Sequence, residues 1–403
     1  MEKNEKPKPL AQEFTIAARQ ITKDHYMHDP GMTCMPDGTI FVAAGCREWE
    51  HKRVLRNTPD KRNIIHSQIL LARSFDNGET WEALNPIMGA GEDATPFVHK
   101  SKLYLLLPDY ESEELKLICS DDKGETWSKS VTLLQGDYEA IWNCSTSMAV
   151  KDDKLYWAFG HVSVIAADLT KDLMCPETWR VSNTVNLPNI PETLRSDLYP
   201  PDSKIWPVQW PSDRWLEPNM VNVNGYLRVL VRIIIDEYAT ANICGICDLD
   251  DDGGEMKLKF TQFAALPGAQ TKFFILYDDV SKLFWMLSNT PTDSQGFFAD
   301  RGQLLSIGYH GGPGNERRIL MLHYSIDAMN WFSAGCAAMW PSPIQSFMYP
   351  SAAIHGDDIL FISRTSEFAQ NQHDADIVTF HKIKNFRSLA MDIFPKYPDG
   401  PSI

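Results

Sequence analysis

No run of apolar residues in the 403-residue chain is long enough to cross a bilayer as a helix, so membrane insertion is not expected. A basic surplus is also missing: 38 Lys and Arg against 53 Asp and Glu leave a formal net charge of −15. That balance argues against a nucleic-acid partner and against adhesion to anionic membranes. Met1 to Pro9 is charged and contains proline, without the apolar stretch of a secretory signal. A cytoplasmic location follows, or a secreted or periplasmic one if a leader has been removed. The eight cysteines have no framework spacing. Cys244 and Cys247 lie in an apolar run that reads as a strand, where residues three apart point to opposite faces, so both read as buried free thiols. No spacing suggests a metal or an organic cofactor, and nothing indicates an oligomeric state. Long helices are scarce too, since Pro, Gly or β-branched residues interrupt each candidate.

What the chain does have is a repeat. Six segments share a small residue or Pro, an apolar alternation, a turn rich in Asp, Asn and Gly, and a second apolar run. They are DPGMTCMPDGTIFVAAG from Asp29, ATPFVHKSKLYLLLPD from Ala94 and CSTSMAVKDDKLYWAFG from Cys144. The others are EPNMVNVNGYLRVLVR from Glu217, QTKFFILYDDVSKLFWMLS from Gln270 and YPSAAIHGDDILFISR from Tyr349. Each predicts a β-hairpin, because those turn residues tolerate the backbone angles of tight hairpins. Four strands in each of six repeats make an all-β, six-bladed β-propeller. We expect one domain over residues 1–403, with residues 1–13 a flexible tail. A first strand near Phe14 to Ile21 would pair with a last one near Ile377 to Ile383 to close the ring.

A second signal follows some hairpins. Ser74 to Trp81 reads SFDNGETW, Ser120 to Trp127 reads SDDKGETW, and a weaker SIDAMNW runs from Ser325 to Trp331. The pattern Ser-x-Asp-x-Gly-x-Thr-Trp resembles the Asp box (BNR repeat) of the sialidase superfamily, which implies a sialidase-type propeller. The Asp carboxylate can accept N–H bonds across the turn, the Gly takes positive φ, and the Trp packs between sheets. These turns lie between strands three and four, away from the face that gathers the start of strand one, the end of strand two and the start of strand three. Asp76 and Asp121 are accordingly read as structural.

The opposite face collects a polar set. Blade one offers His28, Asp29, Arg47, Glu48 and His66, blade two Glu92, Asp93 and Asp109, and blade three Asn143 and His161. Blade four gives Glu217 and Arg232, blade five Gln270, Lys272 and Asn289, and blade six Tyr349, Arg364 and His373. Singly, each suits a structural role: Asp29 and Asp93 as turn caps, Arg364 as a rim ion pair, His161 as a satisfied polar group. Together they read as a ligand-binding mouth.

Blade four carries the closest resemblance to sialidases: Glu217-Pro218-Asn219-Met220-Val221, then Asn224-Gly225, then Arg232. The resemblance implies that Glu217 activates the nucleophile, that Arg232 is one of three arginines holding a substrate carboxylate, and that Tyr349 sits at the nucleophile's place. The family's opening Arg-Ile-Pro is His28-Asp29-Pro30 here, His66 lies near the acid/base Asp, and blade five shows Gln270 and Lys272 without the expected arginine. Because Lys and His do not reproduce a guanidinium fork, the expected substrate is a glycan other than a sialoside. The expectation is an exo-acting glycosidase with His66 as acid/base, Glu217 and Tyr349 as nucleophile pair, and Arg47 and Arg232 as anchors. His28, Asp29, Asp93, His161, Gln270, Arg364 and His373 would complete substrate binding. Tyr199, Trp206, Trp210 and Trp215 could wall a subsite or pack their loop onto the disc. Two alternatives remain open: a polysaccharide lyase acting on uronic-acid glycans, and a non-catalytic carbohydrate-binding propeller.

Overall fold

A computed structural model describes residues 8–48, 68–88, 93–109, 112–185, 188, 214–234, 242–291, 316–342, 344–369 and 372–391. Among the described residues, twenty-four strands form six four-stranded antiparallel sheets. Strand β1 (Thr15–Arg19) is set aside for the last blade. Blade one is β2 (His25–Cys34), β3 (Ile40–Glu48), β4 (Gln68–Ser74) and β5 (Glu82–Met88). Blade two is β6 (Thr95–His99), β7 (Lys102–Asp109), β8 (Glu114–Ser120) and β9 (Val131–Gln135). Blade three is β10 (Ala149–Lys151), β11 (Lys154–Phe159), β12 (Ser163–Asp168) and β13 (Trp179–Val181). Blade four is β14 (Arg214–Val223), β15 (Tyr226–Ile234), β16 (Ile243–Asp251) and β17 (Met256–Ala265). Blade five is β18 (Phe274–Asp278), β19 (Leu283–Asn289), β20 (Ile319–Ser325) and β21 (Phe332–Met339). Blade six is β22 (Ser346–His355), β23 (Asp358–Ser366) and β24 (Ile377–Ile383), with β1 as its outer strand. All six expected hairpins are the first two strands of a blade.

The apolar side chains explain the ring. Side chains alternate between the two faces of a strand, and here both faces are buried against a neighbouring blade. Phe41 packs with Leu103 and Leu105 of blade two, whereas Ile40 and Val42 pack with Leu360 and Ile362 of blade six. Trp157 meets Leu106 and Leu115 of blade two, and its neighbour Tyr156 meets Val229 and Leu249 of blade four. Leu230 and Met286 share the seam between blades four and five, and Trp285 and Phe361 that between five and six. Cys244 and Cys247 fall in two different seams, and all eight cysteines are free thiols.

Ring closure is antiparallel pairing of Thr15 with Phe380 and Arg19 with Ile377. Residues 10 and 11, expected in a loose tail, are tied down instead. The Leu10 and Ala11 amides donate to the Cys336 and Ala337 carbonyls at 2.8 Å, and the Ala11 carbonyl meets His381 Nδ1 at 2.7 Å. The reason is the free edge of β21, which the incoming chain satisfies.

The Ser-x-Asp turns lie between strands three and four, as expected. Asp76 Oδ1 accepts the Thr80 amide at 2.9 Å and Asp76 Oδ2 the Thr80 hydroxyl at 2.6 Å. In the second turn Asp122 does this for Thr126, while Asp121 is an exposed partner of Lys102, so Asp122 is the residue that corresponds to Asp76. Each turn also leans on the preceding blade. Trp81 packs edge-on to Phe380 and donates to Thr15 Oγ1 at 3.0 Å, and Trp127 packs edge-on to Phe41.

Gly78, at φ 82°, has no room for a side chain, since a Cβ there would stand 2.0 Å from Phe380. Gly225 has φ 91° but open space around it. Gly78→Ala is expected to cost about 2–4 kcal/mol in urea unfolding from strain plus overpacking. Gly225→Ala should cost only the backbone strain, about 1–2 kcal/mol. Equal losses would show that the turn does not brace the seam.

Candidate active site

A repeated irregularity builds the site. In blades one, four and six the first strand carries a bulge in which two residues oppose one on strand two. Pairing jumps from Met27–Cys46 to Pro30–Ala44, from Leu216–Arg232 to Asn219–Leu230, and from Met348–Arg364 to Ser351–Ile362. The skipped residues are His28-Asp29, Glu217-Pro218 and Tyr349-Pro350. Proline cannot serve a regular ladder, and a bulge re-aims the side chain beside it. Glu217 and Tyr349 have φ of 52° and 51°, although a residue before proline prefers extended angles. Each costs about 1–3 kcal/mol of strain that the surroundings must hold.

Asparagines supply much of that hold. Asn219 Nδ2 donates to the carbonyls of Glu217 at 3.1 Å and Phe273 at 3.3 Å. Asn143 Nδ2 reaches from blade three to the Pro218 carbonyl at 3.2 Å, and Asn289 Nδ2 from blade five to the Phe347 carbonyl at 2.6 Å. The fully buried Lys272 ammonium donates to the Pro350 carbonyl. These bonds staple blades three to six together at the bulges.

The bulges and the ends of strand two place a buried ionic cluster around Tyr349. Arg232 Nη1 donates to both Glu217 carboxylate oxygens at 2.8 Å and lies 3.5 Å from the Tyr349 hydroxyl. Its Nε is fixed by the Gln270 carbonyl at 2.8 Å. The Arg317 and Arg364 guanidiniums lie over the Tyr349 ring, 5.2 and 5.0 Å from its centroid. Arg364 Nη1 is 3.3 Å from Asp29 Oδ1, and its Nη2 donates to the His373 carbonyl at 2.6 Å. His28 Nδ1 stands 3.7 Å from Asp29 and 3.4 Å from Asp93, whose other oxygen accepts the Trp142 indole N–H.

Burial pushes the Tyr349 phenol well above its ordinary range; the Glu217 charge adds to this, while Arg317 and Arg232 oppose it. Burial lowers Lys272 and Arg317 from their usual values. Asp29 is raised to about 7 by burial, against the pull of His28, with Asp93 pushing the same way as burial and Arg364 opposing. One ligand atom each from His28, Asp29 and Asp93 lies within 4.8 Å of the others, but the Arg364 guanidinium already supplies the cation there.

Of the sequence-derived set, Glu217, Tyr349, Arg232, Arg364, Asp29, Asp93, His28, Gln270 and His373 come together. Arg47 is half-buried at the end of β3 opposite Tyr26, and His161 is exposed in the turn after β11. His66 and Glu92 lie outside the described residues, as do Tyr199, Trp206 and Trp210. Trp215 packs on Phe260 and Phe263 within blade four, over Gly245. Asp109 pairs with Lys116 at 2.6 Å.

Arg317 and Trp142 were not anticipated. Arg317 corrects the expectation that blade five brings no arginine: it arrives just before strand three, from the polar run Glu316-Arg317-Arg318, and is buried. Such a run looks like a solvated loop, but the Arg317 carbonyl accepts bonds from Asn289 Nδ2 at 3.2 Å and from the Phe347 amide at 3.0 Å, which anchor it between blades five and six.

No protein-family model matches the chain, and no curated protein matches it. Solved structures do. A protein of unknown function from Dyadobacter fermentans aligns over 92% of this chain and 97% of its own, with TM-score 0.56 and 11% identity. A Trypanosoma rangeli sialidase mutant displaying trans-sialidase activity aligns over 93% of this chain at TM-score 0.52 and 13% identity. The fold is the one sialidases use. This chain spans 59% of that sialidase's length, and 66% of a Hadza microbial sialidase matched at TM-score 0.50 and 14% identity. At such identities the likeness establishes the propeller and leaves the chemistry to the site.

Removing one partner of a buried ion pair strands the other charge. Glu217→Gln is therefore expected to lower unfolding free energy by about 3–5 kcal/mol. Glu217→Gln combined with Arg232→Met should lose less than the sum of the two single changes. Additive losses in a denaturant double-mutant cycle would show that the two side chains are not coupled.

Proposed function

We propose that the protein is an exo-acting glycoside hydrolase whose substrate sugar carries a carboxylate, with Tyr349 as nucleophile and Glu217 as the base that takes its proton. The observation that carries this reading is the convergence of three buried guanidiniums on one tyrosine. A phenol is a poor nucleophile until its proton leaves, and a phenol held this far above its ordinary range needs an adjacent base. Arg232 touches both Glu217 and the Tyr349 hydroxyl, so it stabilises negative charge whether that charge sits on the carboxylate or on the phenolate.

Arg232, Arg317 and Arg364 are also the groups that suit a planar carboxylate, which guanidinium binds in bidentate fashion. Three guanidiniums gathered at one ring of an otherwise acidic protein favour an anionic ligand there. With Arg317 and Arg364 joining Arg232 at one ring, three arginines are present, and sialosides stand beside uronides as candidates.

The test is a panel of aryl glycosides and purified glycans, sialosides and uronides included, against wild type and Tyr349→Phe. The phenylalanine keeps the ring and its cation contacts, so folding is preserved. Turnover of a carboxylated sugar, reduced at least 1,000-fold in Tyr349→Phe, is expected. Binding without turnover would move the protein to a carbohydrate-binding role. A product absorbing in the near ultraviolet would instead mark a lyase.

A further inference from the structure

The chemistry proposed above names a nucleophile and a base and leaves the proton donor unassigned, since His66 falls outside the described residues. We propose that Asp29 and Asp93, with His28 between them, hold one shared proton that is handed to the departing glycosidic oxygen and later recovered from water. The inference rests on the glycosidase reading and names the acid–base group for it.

The geometry sets this pair apart from an ordinary ion pair. Asp93 is fully buried and Asp29 is 2% exposed. The imidazole lies within 3.7 Å of both, and the ligand atoms of all three fall within 4.8 Å of one another. Two carboxylates this close and this buried do not both ionise readily, so one proton is retained between them. Several charged groups among the described residues face Asp29. His28 comes from its own strand, Asp93 from the start of blade two, Arg364 from β23 and Glu217 from β14, with Cys144 and Lys272 nearby. Arg364 and His28 support one negative charge on the pair, while burial, Asp93 and Glu217 oppose a second. The resulting midpoint for Asp29, about 7, suits a group that both gives and takes a proton near neutrality. Arg364 also ties the pair to the nucleophile, since the guanidinium that meets Asp29 at 3.3 Å lies over the Tyr349 ring.

The steps balance. In the first, the Tyr349 oxygen attacks the anomeric carbon and its proton passes to Glu217. The glycosidic C–O bond breaks, and the leaving oxygen takes the proton of the aspartate pair. In the second, water attacks the same carbon and gives a proton back to the pair. The bond to Tyr349 breaks, and Glu217 returns its proton to the phenolate.

The test has two readouts on the full-length protein. Carbon-13 NMR of side-chain-labelled aspartate follows each carboxyl against pH without any substrate. One carboxyl of the pair is expected to titrate near pH 7 in wild type, and Asp93→Asn should lower the Asp29 midpoint by at least one unit. No aspartate titrating above pH 5 in wild type would overturn the inference, whatever the variants do. The second readout uses aryl glycosides of the carboxylated sugar with leaving groups from dinitrophenyl to phenyl. Loss of the donor in Asp93→Asn or Asp29→Asn should slow the phenyl glycoside about 100-fold and the dinitrophenyl glycoside under 10-fold, with a melting curve to confirm folding. Equal slowing of both would mean a structural role and overturn the inference. A shared proton in a protein that cleaves no glycoside would sink the glycosidase reading and leave the pair standing. Glycoside cleavage with both carboxyls titrating below pH 5 would do the reverse.

Discussion

The second strand of each blade is buried on both faces, and that constraint decides where polar chemistry can sit. A central strand has no solvent side, so its residues alternate between two apolar seams, as Phe41 and Val42 or Tyr156 and Trp157 do. Charged groups are left with strand ends and bulges. The structure uses both: Arg232 and Arg364 at the ends of second strands, Asp29, Glu217 and Tyr349 in bulges of first strands. The site is where the repeat departs from regularity.

That departure is held under strain. Glu217 and Tyr349 keep left-handed backbone angles before proline; Asn219 from the same strand, and Asn143, Asn289 and Lys272 from adjoining blades, hold the bulge regions by their carbonyls. Most of these bonds run from blade to blade, so the stiffness of the ring and the aim of the clustered side chains share one set of contacts. The buried arginines are tolerated on the same logic. Arg232 gains two carboxylate oxygens and a carbonyl, and Arg364 a carboxylate and a carbonyl, which offsets part of their desolvation.

The sequence made the architecture legible because the same burial recurs six times. The six hairpins, the closing pair β1–β24 and the placement of the Ser-x-Asp turns all follow from alternation and turn residues that need no tertiary knowledge. The tail was harder, since nothing in Leu10-Ala11 announces the edge of β21 as its partner. Within the site, Glu217, Arg232 and Tyr349 were visible because each falls at a fixed place in a hairpin. Arg317 was not, because it lies outside any hairpin in a run of charges, and the bonds that anchor it, from Asn289 and the Phe347 amide to its carbonyl, join residues far apart in sequence. The choice between Asp121 and Asp122 turned on spacing: the carboxylate two residues after the serine makes the bonds. What a motif count could not supply was electrostatics, because the pairing of His28 with two aspartates needs blades one and two side by side.

The most direct measurement of the central claim is covalent trapping. Wild-type protein would be incubated with activated fluorinated glycosides of carboxylated sugars, then read by intact mass and peptide mapping. The account predicts one added glycosyl group per chain, on Tyr349, and none in Tyr349→Phe. An adduct on a different residue, or none across the panel, would contradict it.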